Sequence, residues 1–323
     1  LYKFIKKILL YSFLFKIFFK NIKIIMTNIF LIGSTTRTGE YISKNCKSFI
    51  NNSKIYKFSS KKNTSIFLDL ESFSVPNEIV LNKECILISL APIWLFVPYL
   101  EFLLETNKLN KKNVLGIIAT SSTSVITKKY AWNKYDKNLY KKLIFWEQKL
   151  IFLNNKYGIK TSLIRPTLIY DDVGSNSDKN LSILCKIMKN SFLLPIPKDS
   201  GIRQPIHISQ LGQVILNISK NYVLNDQLEE LIKIINIGGD EELTYHEILK
   251  RIKNSFPNSN KIHNCFLIKI PNRLFLFLCT PILIFSPKIF EAMQRTTINM
   301  NGFTKSYKIS NLEKKMFPVK SDN

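Results

Sequence analysis

The sequence predicts an α/β protein in which a doubly wound parallel sheet is joined by a smaller C-terminal lobe. Short apolar segments recur along the first half of the chain, separated by helical or loop segments of about 10 to 40 residues. The first of them ends in a glycine turn that leads into a helix-like stretch. Segments spaced in this way need crossover connections, which are right-handed and cover both faces of a parallel sheet with helices. A chain of 323 residues with 46% hydrophobic content can bury such a core.

The first predicted strand is residues 28–32, followed by the glycine turn 33–39 and by a helix that reaches about residue 49. Further buried strands are predicted at residues 54–58, 65–68, 85–90, 114–119 and 161–164. The sheet domain is therefore expected to span residues 26–170.

The pattern is less regular in residues 171–323, which are expected to form mainly the smaller lobe. Two of its segments are predicted to return to the sheet domain. Residues 203–220 have the pattern of a strand followed by a helix, with Ser209 as the N-cap. Residues 233–239 form an apolar strand that ends in two glycines.

Within the smaller lobe, a helix is predicted at residues 181–189, and Thr244 followed by Glu247 predicts a capping-box start for a second helix. Residues 266–290 are strongly apolar but are interrupted by lysine, arginine and proline. Their longest apolar run, 274–285, is shorter than the roughly 20 residues that a membrane span needs. This stretch is expected either to pack on the core or to lie against a membrane surface.

Residues 1–25 are a basic, apolar leader, which contains six lysines and no acidic residue. The leader has no small-residue cleavage site, so a cleaved signal peptide is not expected. Its apolar run at 8–15 is too short to span a bilayer. Two interpretations remain open: a basic interfacial helix, or an extension ahead of a true start at Met26.

The formal net charge is +24 at pH 7, and the lysines run along the entire chain beside abundant Asn, Ile and Phe. The sequence has neither a basic stripe with interleaved aromatic residues nor a zinc-finger or RNP-type motif. We therefore expect an evenly basic surface and no nucleic-acid partner. Such a surface attracts small anionic ligands.

The cysteines and histidines are scattered, and none forms a C-x-x-C pair or lies at metal-ligand spacing from another. They are Cys46, Cys85, Cys185, Cys265, Cys279, His207, His246 and His263. We therefore expect reduced, buried thiols in a cytosolic protein and no metal site.

A strand that ends at a glycine and turns into a helix directs backbone N–H groups and the positive end of the helix dipole at one point, which suits a pyrophosphate. Gly33 and Gly39 occupy two positions of such a turn, and Thr36 stands where a further glycine is usual. Thr35, Thr36 and Thr38 are expected to supply hydroxyl donors. The turn predicts a Rossmann-type domain that binds a dinucleotide; the alternative is a tight turn without a ligand.

The end of the second strand bears on the choice between NAD and NADP. An acidic residue there binds the ribose 2′-hydroxyl of NAD, whereas a basic residue accommodates the 2′-phosphate of NADP. The segment is Ser59-Ser60-Lys61 without a carboxylate, and Arg37 in the glycine turn is a second cation placed to reach the same phosphate. NADP is therefore favoured over NAD, with Ser59 and Lys61 among the cofactor contacts.

Further landmarks follow in a fixed order between residues 26 and 317. They are 69–70 after the third strand, 121–125 after the fifth, 165–170 after the sixth, then 203–207, 236–239 and 243–244. In this order they resemble the extended and atypical short-chain dehydrogenase/reductases, the group of the NAD-dependent epimerase/dehydratase proteins, many of which act on nucleotide sugars.

The resemblance implies cofactor contacts at several of these landmarks. Asp69 would touch the adenine, and Leu70 beside it would be a further cofactor contact. Ala91 and Pro92 would lie along the cofactor, and Pro166 would neighbour the nicotinamide.

The same resemblance implies a substrate site. Ser122 would hydrogen-bond the reacting oxygen, and Thr123 would contact the substrate. Arg203 would grip a diphosphate through two hydrogen bonds, and His207 begins the returning helix segment. The alternative for this pair is a strand-end arginine and a histidine satisfied in the core.

The mechanism of that family needs a tyrosine that passes a proton and a lysine four residues later that lowers its pKa. The pentapeptide 130–134 has a tyrosine and a lysine at this spacing. It starts only eight residues after Ser122, which is too soon for a helix to bring the tyrosine over the cofactor. Counting back from the Arg-Pro pair that ends the sixth strand places the two positions at Leu139 and Leu143. Tyr140 is one residue out of register, so an intact pair is not expected, and Tyr140 stays a catalytic candidate beside Ser122.

Two functions remain open on the sequence. The first is an NAD(P)-dependent epimerase, dehydratase or reductase that acts on a nucleotide-linked or lipid-linked sugar with a degenerate Tyr/Lys pair. The second is a non-catalytic dinucleotide-binding scaffold or assembly factor. Its basic leader and apolar lobe would place this second kind of protein at the periphery of a membrane.

Overall fold

A computed structural model describes residues 26–61, 65–79, 83–173, 179–224 and 230–319 of the chain. The strands are β1 (Thr27–Ile32), β2 (Ser53–Ser59), β3 (Ile66–Phe67), β4 (Cys85–Ser89), β5 (Val114–Thr120), β6 (Thr161–Pro166), β7 (Ile169–Tyr170), β8 (Leu193–Pro197), β9 (Ile202–Arg203), β10 (Ile206–His207), β11 (Ile232–Gly238), β12 (Leu243–Thr244), β13 (Phe266–Ile270) and β14 (Thr304–Lys305). The helices are α1 (Arg37–Phe49), α2 (Ile93–Glu105), α3 (Ser124–Thr127), α4 (Lys134–Tyr157), α5 (Lys179–Asn190), α6 (Ile208–Leu224), α7 (Tyr245–Asn254), α8 (Asn272–Phe285), α9 (Pro287–Arg295) and α10 (Ser306–Ser310). The basic leader, residues 1–25, lies outside the described residues.

Eight strands form one sheet in the order β3-β2-β1-β4-β5-β6-β11-β14, and all neighbouring strands are parallel. The order runs outward from β1 in one direction and from β4 in the other, which is the doubly wound arrangement. The predicted α/β fold class with a Rossmann-type sheet is confirmed. The strand order reverses between β1 and β4, and the loops after these two parallel strands border a crevice there.

The side chains of β1 alternate between two hydrophobic layers. Phe30 and Ile32 pack in the layer that contains α2 and α4, and Ile29 and Leu31 pack in the layer that contains α1 and α6. All residues of β1 and β4 are buried, because helices cover both faces of the sheet. These continuous apolar strands are the reason that the sheet could be predicted from the sequence.

The 24-residue helix α4 carries the stretch in which the family's Tyr/Lys pair was sought. Its N-cap is Asn133, whose side chain accepts a hydrogen bond from the backbone N–H of Asp136 at 2.9 Å. It ends at Gly158, which has a φ of +67°. The buried residues Leu143, Glu147 and Leu150 follow each other at helical spacing and fix which face of α4 meets the sheet.

The predicted strand before α6 differs from the observed structure. Two short strands, β9 and β10, replace it, because Gln204 and Pro205 interrupt the ladder. The prediction that Ser209 caps α6 is wrong, since the helix begins at Ile208. His207 takes the capping place: its Nδ1 accepts from the N–H of Ser209 at 3.3 Å, and its own N–H donates to Oε1 of Gln210 at 2.9 Å.

A third hydrophobic cluster forms the smaller lobe, where α5 and α7 pack beside the paired strands β8 and β13. The capping box predicted for α7 is present, because Thr244 accepts from the N–H of Glu247 at 3.2 Å and the Glu247 carboxylate accepts from the N–H of Thr244 at 2.8 Å. A fourth, small cluster lies between α8 and α9. β11 pairs with β6 and β14, so this part of the later chain lies in the main sheet.

Candidate functional site

The glycine turn after β1 packs so closely that side chains are excluded at two positions. Gly33 has a φ of +83°, and a Cβ there would lie 3.2 Å from Cβ of Leu90 and 3.3 Å from the backbone N of Ala91. A Cβ on Gly39 would lie 2.5 Å from the carbonyl oxygen of Gly33. The turn therefore needs glycine for its backbone conformation and for the close approach of α1 to β1.

Thr36 stands where a further glycine is usual, and its hydroxyl group is turned back onto the turn. Its Oγ1 donates to the carbonyl oxygen of Gly33 at 2.8 Å and accepts from the N–H of Gly39 at 3.1 Å. It is the N-cap of α1. Within the described chain, the N–H groups of Arg37 and Thr38 are not bonded to any backbone carbonyl. These N–H groups and the helix dipole make the start of α1 suited to an anion.

A cavity of about 710 Å³ opens directly beside this turn, at the carboxyl ends of the parallel strands. Residues from the ends of β1, β4, β5 and β6 and from α4 and α6 line it. Its predicted cofactor contacts are Thr35, Thr36, Arg37, Thr38, Ala91, Pro92 and Pro166, and the predicted catalytic residue Ser122 also lines it. The turn is therefore open toward a cavity of ligand size.

A second cavity of about 710 Å³ lies between the sheet domain and the smaller lobe. Thr123, Lys128, Arg203 and Arg295 are among its lining residues. The residues that line both cavities are Ser122, Ser124 and Ile169. These three form the partition between the two cavities.

Comparison with known proteins gives matches in structure. No protein-family model and no curated protein matches the sequence. A UDP-N-acetylglucosamine 4-epimerase from Bacillus cereus is 12% identical, with a TM-score of 0.57 over 90% of this chain and 94% of the epimerase. A nucleoside-diphosphate-sugar epimerase from Staphylococcus aureus is 14% identical, with a TM-score of 0.55 over 90% of this chain and 97% of that one.

A GDP-mannoheptose C4 reductase from Campylobacter jejuni with NADP bound is 14% identical, with a TM-score of 0.52 over 78% of this chain and 89% of the reductase. A short-chain dehydrogenase/reductase superfamily protein from Agrobacterium tumefaciens is also similar, with a TM-score of 0.53. This chain has the fold of the extended short-chain dehydrogenase/reductases. The predicted resemblance is confirmed as a likeness of fold.

Several predicted cofactor contacts of this dehydrogenase/reductase fold lie outside the first cavity's lining. The Oγ of Ser59 is 2.9 Å from Oγ1 of Thr35 and accepts from the N–H of Lys61 at 3.0 Å, so Ser59 braces the turn. The Lys61 side chain is exposed. Asp69 is half-buried and accepts from the N–H of Glu71 at 3.0 Å, whereas Leu70 is buried in the core.

Arg37 is half-exposed at the mouth of the first cavity and lies between two carboxylates. Its NH1 is 3.1 Å from Oε2 of Glu40, and its Nε is 3.5 Å from Oδ2 of Asp171. Asp171 follows β7 and lines the same cavity. The cation that the sequence placed near a 2′-phosphate is therefore partly neutralised, and the Asp171 partner could not be foreseen because it comes from a distant part of the chain.

The positions expected for the family's tyrosine and lysine are part of the cavity wall. Leu139 and Leu143, one helical turn apart on α4, both line the first cavity. Tyr140 does not line it, and Tyr130 is strongly exposed on the surface. The register predicted from the sequence thus leads to two leucines at this wall.

The ionisable side chains that line the first cavity within the described chain are Arg37, Tyr170 and Asp171. Burial raises the pKa of Tyr170, and its hydroxyl oxygen accepts from the N–H of Val319 at 3.0 Å. This part of the structure therefore offers the cavity no tyrosine with a pKa suited to proton transfer near neutral pH.

Ser122 and its neighbours form a small hydroxyl cluster at the partition. The Oγ of Ser122 donates to Oγ of Ser124 at 3.0 Å and accepts from the N–H of Ser124 at 3.1 Å. Thr123 points the other way, since its hydroxyl donates to the carbonyl oxygen of Pro166 at 3.1 Å. Thr123 therefore ties the loop after β5 to the end of β6.

Arg203 uses its guanidinium group to hold the smaller lobe. NH1 donates to the carbonyl oxygens of Ile202 at 2.9 Å and Ile298 at 2.6 Å, and NH2 donates to that of Arg295. Burial lowers the pKa of Arg203. These bonds commit several of its donors to the backbone, although the side chain still lines the second cavity.

His207 is fully buried and lies near two acidic residues. Asp171, Asp172 and His207 each bring one potential ligand atom within 4.8 Å of the others, with Nε2 of His207 3.7 Å from Oδ1 of Asp172. Because the N–H of Ser209 donates to Nδ1, the neutral ring carries its proton on Nε2. In this tautomer the Nε2–H group lies near the Asp172 carboxylate, but no hydrogen bond to it forms within the described residues.

A buried charge network that the sequence did not predict joins the two lobes next to the second cavity. Asp136 at the start of α4 is fully buried and accepts from Lys128 Nζ at 2.6 Å and from Arg295 NH1 at 2.9 Å. Glu291 of α9 also binds Arg295 at 2.9 Å and accepts from the N–H of Asn133 at 3.1 Å. The acidic partners are separated by more than 150 residues, so no local pattern could have revealed the network.

Proposed function

We propose that this protein binds a nicotinamide dinucleotide in the first cavity. The observation that carries the proposal is the glycine turn, in which Gly33 is required by its positive φ and Gly39 by the lack of space for a Cβ, and the start of α1 faces an open cavity. Thr35 and Thr38 line the cavity beside the N–H groups that suit a pyrophosphate. Ala91, Pro92 and Pro166 would hold the rest of the cofactor along the crevice.

We further propose that the protein does not perform the proton transfer of the conventional Tyr/Lys pair. When bound, a nicotinamide group donates or accepts a hydride, and the protein must supply or remove a proton at the substrate oxygen. Leu139 and Leu143 can do neither. The function that this geometry supports best is therefore a dinucleotide-binding protein without conventional turnover, which is the scaffold alternative.

A second candidate function is supported by the hydroxyl cluster at the partition. Ser122 and Ser124 face both cavities, so a substrate oxygen placed there would meet two hydroxyl groups. A reductase or epimerase that acts on a nucleotide-linked or lipid-linked sugar would then use Ser122 as its hydrogen-bond donor. Such an enzyme would have to draw its proton from solvent or from the substrate.

Fluorescence titration of the purified protein with NADPH tests the binding proposal. Gly33→Ala puts a methyl group against Leu90 and Ala91 and is expected to weaken binding by about tenfold or more. The matched control is Gly158→Ala, since Gly158 also has a positive φ, but a Cβ there meets nothing within 4 Å. Equal affinity in both variants, or no binding by the unaltered protein, would contradict the proposal.

The preference for NADP over NAD is a separate proposal that rests on Arg37 and Lys61. Arg37→Ser should weaken NADPH binding by about tenfold and leave NADH binding within about twofold, because only NADPH carries the 2′-phosphate. Lys57→Ser on the exposed face of β2 is the control for a general loss of charge. Tighter binding of NADH than of NADPH by the unaltered protein would overturn this preference.

Turnover assays separate the two candidate functions. Oxidation of NADPH reports a reductase, and chromatography of the sugar products reports an epimerase, which consumes no cofactor overall. Both are followed with nucleotide sugars as substrates, for the unaltered protein and for Ser122→Ala and Tyr140→Phe. The scaffold proposal expects no turnover in any of them, despite tight NADPH binding. Turnover that is lost in Ser122→Ala and kept in Tyr140→Phe would establish the enzyme instead.

A further inference from the structure

Helix α8 exposes an apolar face to solvent. Phe277, Ile284 and Phe285 are 70%, 82% and 87% exposed, and Leu274 and Leu278 lie with them at helical spacing. We call these five residues the α8 face. The two phenylalanines alone expose roughly 300 Å², which approaches the size of the largest apolar patch on a typical monomer.

The opposite side of α8 is also apolar, and it is the side that packs on the protein. Phe275 and Cys279 are buried there against Phe290 of α9. A helix that is apolar on all sides is typical of a protein interior or of a membrane. On this chain α8 lies at the surface of the smaller lobe, so its outer face lacks the environment that its sequence matches.

The length of α8 decides how it can meet a membrane. Its 14 residues extend about 21 Å at 1.5 Å per residue, which is less than the roughly 30 Å of a bilayer's hydrocarbon core. Within the described residues no helix has the length and apolar character to cross a bilayer. Contact along the surface, with the helix in the interface, is therefore the geometry that α8 permits.

The charges around α8 favour an anionic surface over a second copy of the chain. Residues 266–290 contain Lys269, Arg273 and Lys288 and no acidic residue, on a chain with a net charge of +24. Asp199, whose backbone is hydrogen-bonded to Asn272, places one acidic residue at the start of α8 against these cations. A symmetric dimer through this face would bring the same cations together and would be opposed by their repulsion. Anionic headgroups would attract them.

We propose that the α8 face docks the protein on the surface of an anionic lipid bilayer. The apolar side chains enter the boundary between headgroups and acyl chains, and Lys269 and Arg273 lie at the level of the headgroups. This proposal does not depend on dinucleotide binding.

Co-sedimentation of the full chain with lipid vesicles tests the docking surface. The vesicles are phosphatidylcholine alone, or equal parts of phosphatidylcholine and phosphatidylglycerol. We expect partition onto the anionic vesicles, lowered by about tenfold or more in Phe277→Ser/Phe285→Ser. The matched control is Phe145→Ser/Phe152→Ser, because these phenylalanines on α4 are 58% and 57% exposed and lie outside the α8 face. Far-ultraviolet circular dichroism checks that each variant is folded.

A second variant isolates the charge. Lys269→Gln/Arg273→Gln should lower partition onto anionic vesicles and leave the weak partition onto neutral vesicles unchanged. The proposal is overturned if the α8 variant binds anionic vesicles as well as the control does, since the leader or the general charge would then account for binding. It is also overturned if the chain sediments as a dimer that the α8 variant dissociates, because a second copy would then cover the face.

Discussion

His207 illustrates how a single side chain can be structural where a functional role was considered. It caps α6 through Nδ1, lies with its ring tilted by 59° to that of Tyr170 at a centroid distance of 5.1 Å, and is fully buried. Burial lowers its pKa to about 4, although Asp172 and Asp171 act in the opposite direction. The neutral form is therefore the one that this fold stabilises.

This burial predicts a loss of stability in acid. The pKa of His207 is about 4 in the folded protein and about 6.5 in the unfolded chain. The folded state binds fewer protons, so the stabilisation is complete above pH 6.5 and is lost as the pH falls through about 4, by about 3 kcal/mol in total.

Urea unfolding at several pH values between 7.5 and 4 measures this dependence. His207→Gln should have a flatter free energy of unfolding over this range than the unaltered protein, whatever its stability at neutral pH. His263→Gln serves as the control, because His263 is only partly buried. A slope that His207→Gln leaves intact would assign the acid sensitivity to other groups.

At the level of helices, the contact of α4 with α9 depends on buried charge. Burial alone would raise the pKa of Asp136, but hydrogen bonds from Lys128 and Asn133 and the charges of Lys128 and Arg295 lower it. The carboxylate is thereby kept ionised between its two cations. Because α9 belongs to the smaller lobe, Asp136 fixes the position of that lobe over the second cavity.

Removal of this charge predicts a large destabilisation. Asp136→Asn leaves Lys128 and Arg295 partly buried without their shared partner and should lower the free energy of unfolding by about 3 kcal/mol or more. Glu105→Gln is the control, since it breaks the exposed pair with Lys156, which solvent screens and which is expected to contribute far less. Guanidinium unfolding of both variants gives the comparison. Equal costs would argue against a buried network that holds the lobe.

The strands and helices of the sheet domain could be predicted because their signals are local. β1 and β4 are continuous apolar runs next to turns, and α7 has its capping box within four residues. The short elements β9 and β10 could not be predicted correctly, because the break between them depends on distant residues. The side-chain amide of Gln204 at this break donates to the carbonyl oxygens of Gly239 and Phe303. Local pattern therefore failed where the chain crosses between the lobes.

The candidate site divides in the same way. The glycine turn was located from the residues themselves, and Ser122 and the register at Leu139 and Leu143 were located from the resemblance to the short-chain dehydrogenase/reductases. The pairing of Arg37 with Asp171 joins segments more than 130 residues apart and could be seen only after folding. The roles of these residues toward a ligand stay predictions.

At the scale of the entire chain, NADPH bound in the first cavity should stabilise the folded protein against unfolding. Free NADPH at about 100 times its Kd should raise the free energy of unfolding by about 2.7 kcal/mol. Thermal unfolding measures this as a rise in Tm, which should be larger for NADPH than for NADH at equal concentration. At the same NADPH concentration, Gly33→Ala should lower the rise to about half or less, and Gly158→Ala should retain it. A rise of equal size in both variants would place the ligand elsewhere.

The position of Ser122, Ser124 and Ile169 at the border of both cavities has a consequence for ligand occupancy. A molecule seated in either chamber would touch side chains that also border the other, so each occupant alters the surroundings of its neighbour. Thermodynamic linkage then requires the effect to be mutual. If binding in one cavity changes the affinity of the other cavity for its ligand by some factor, binding in that other cavity changes the first affinity by the same factor.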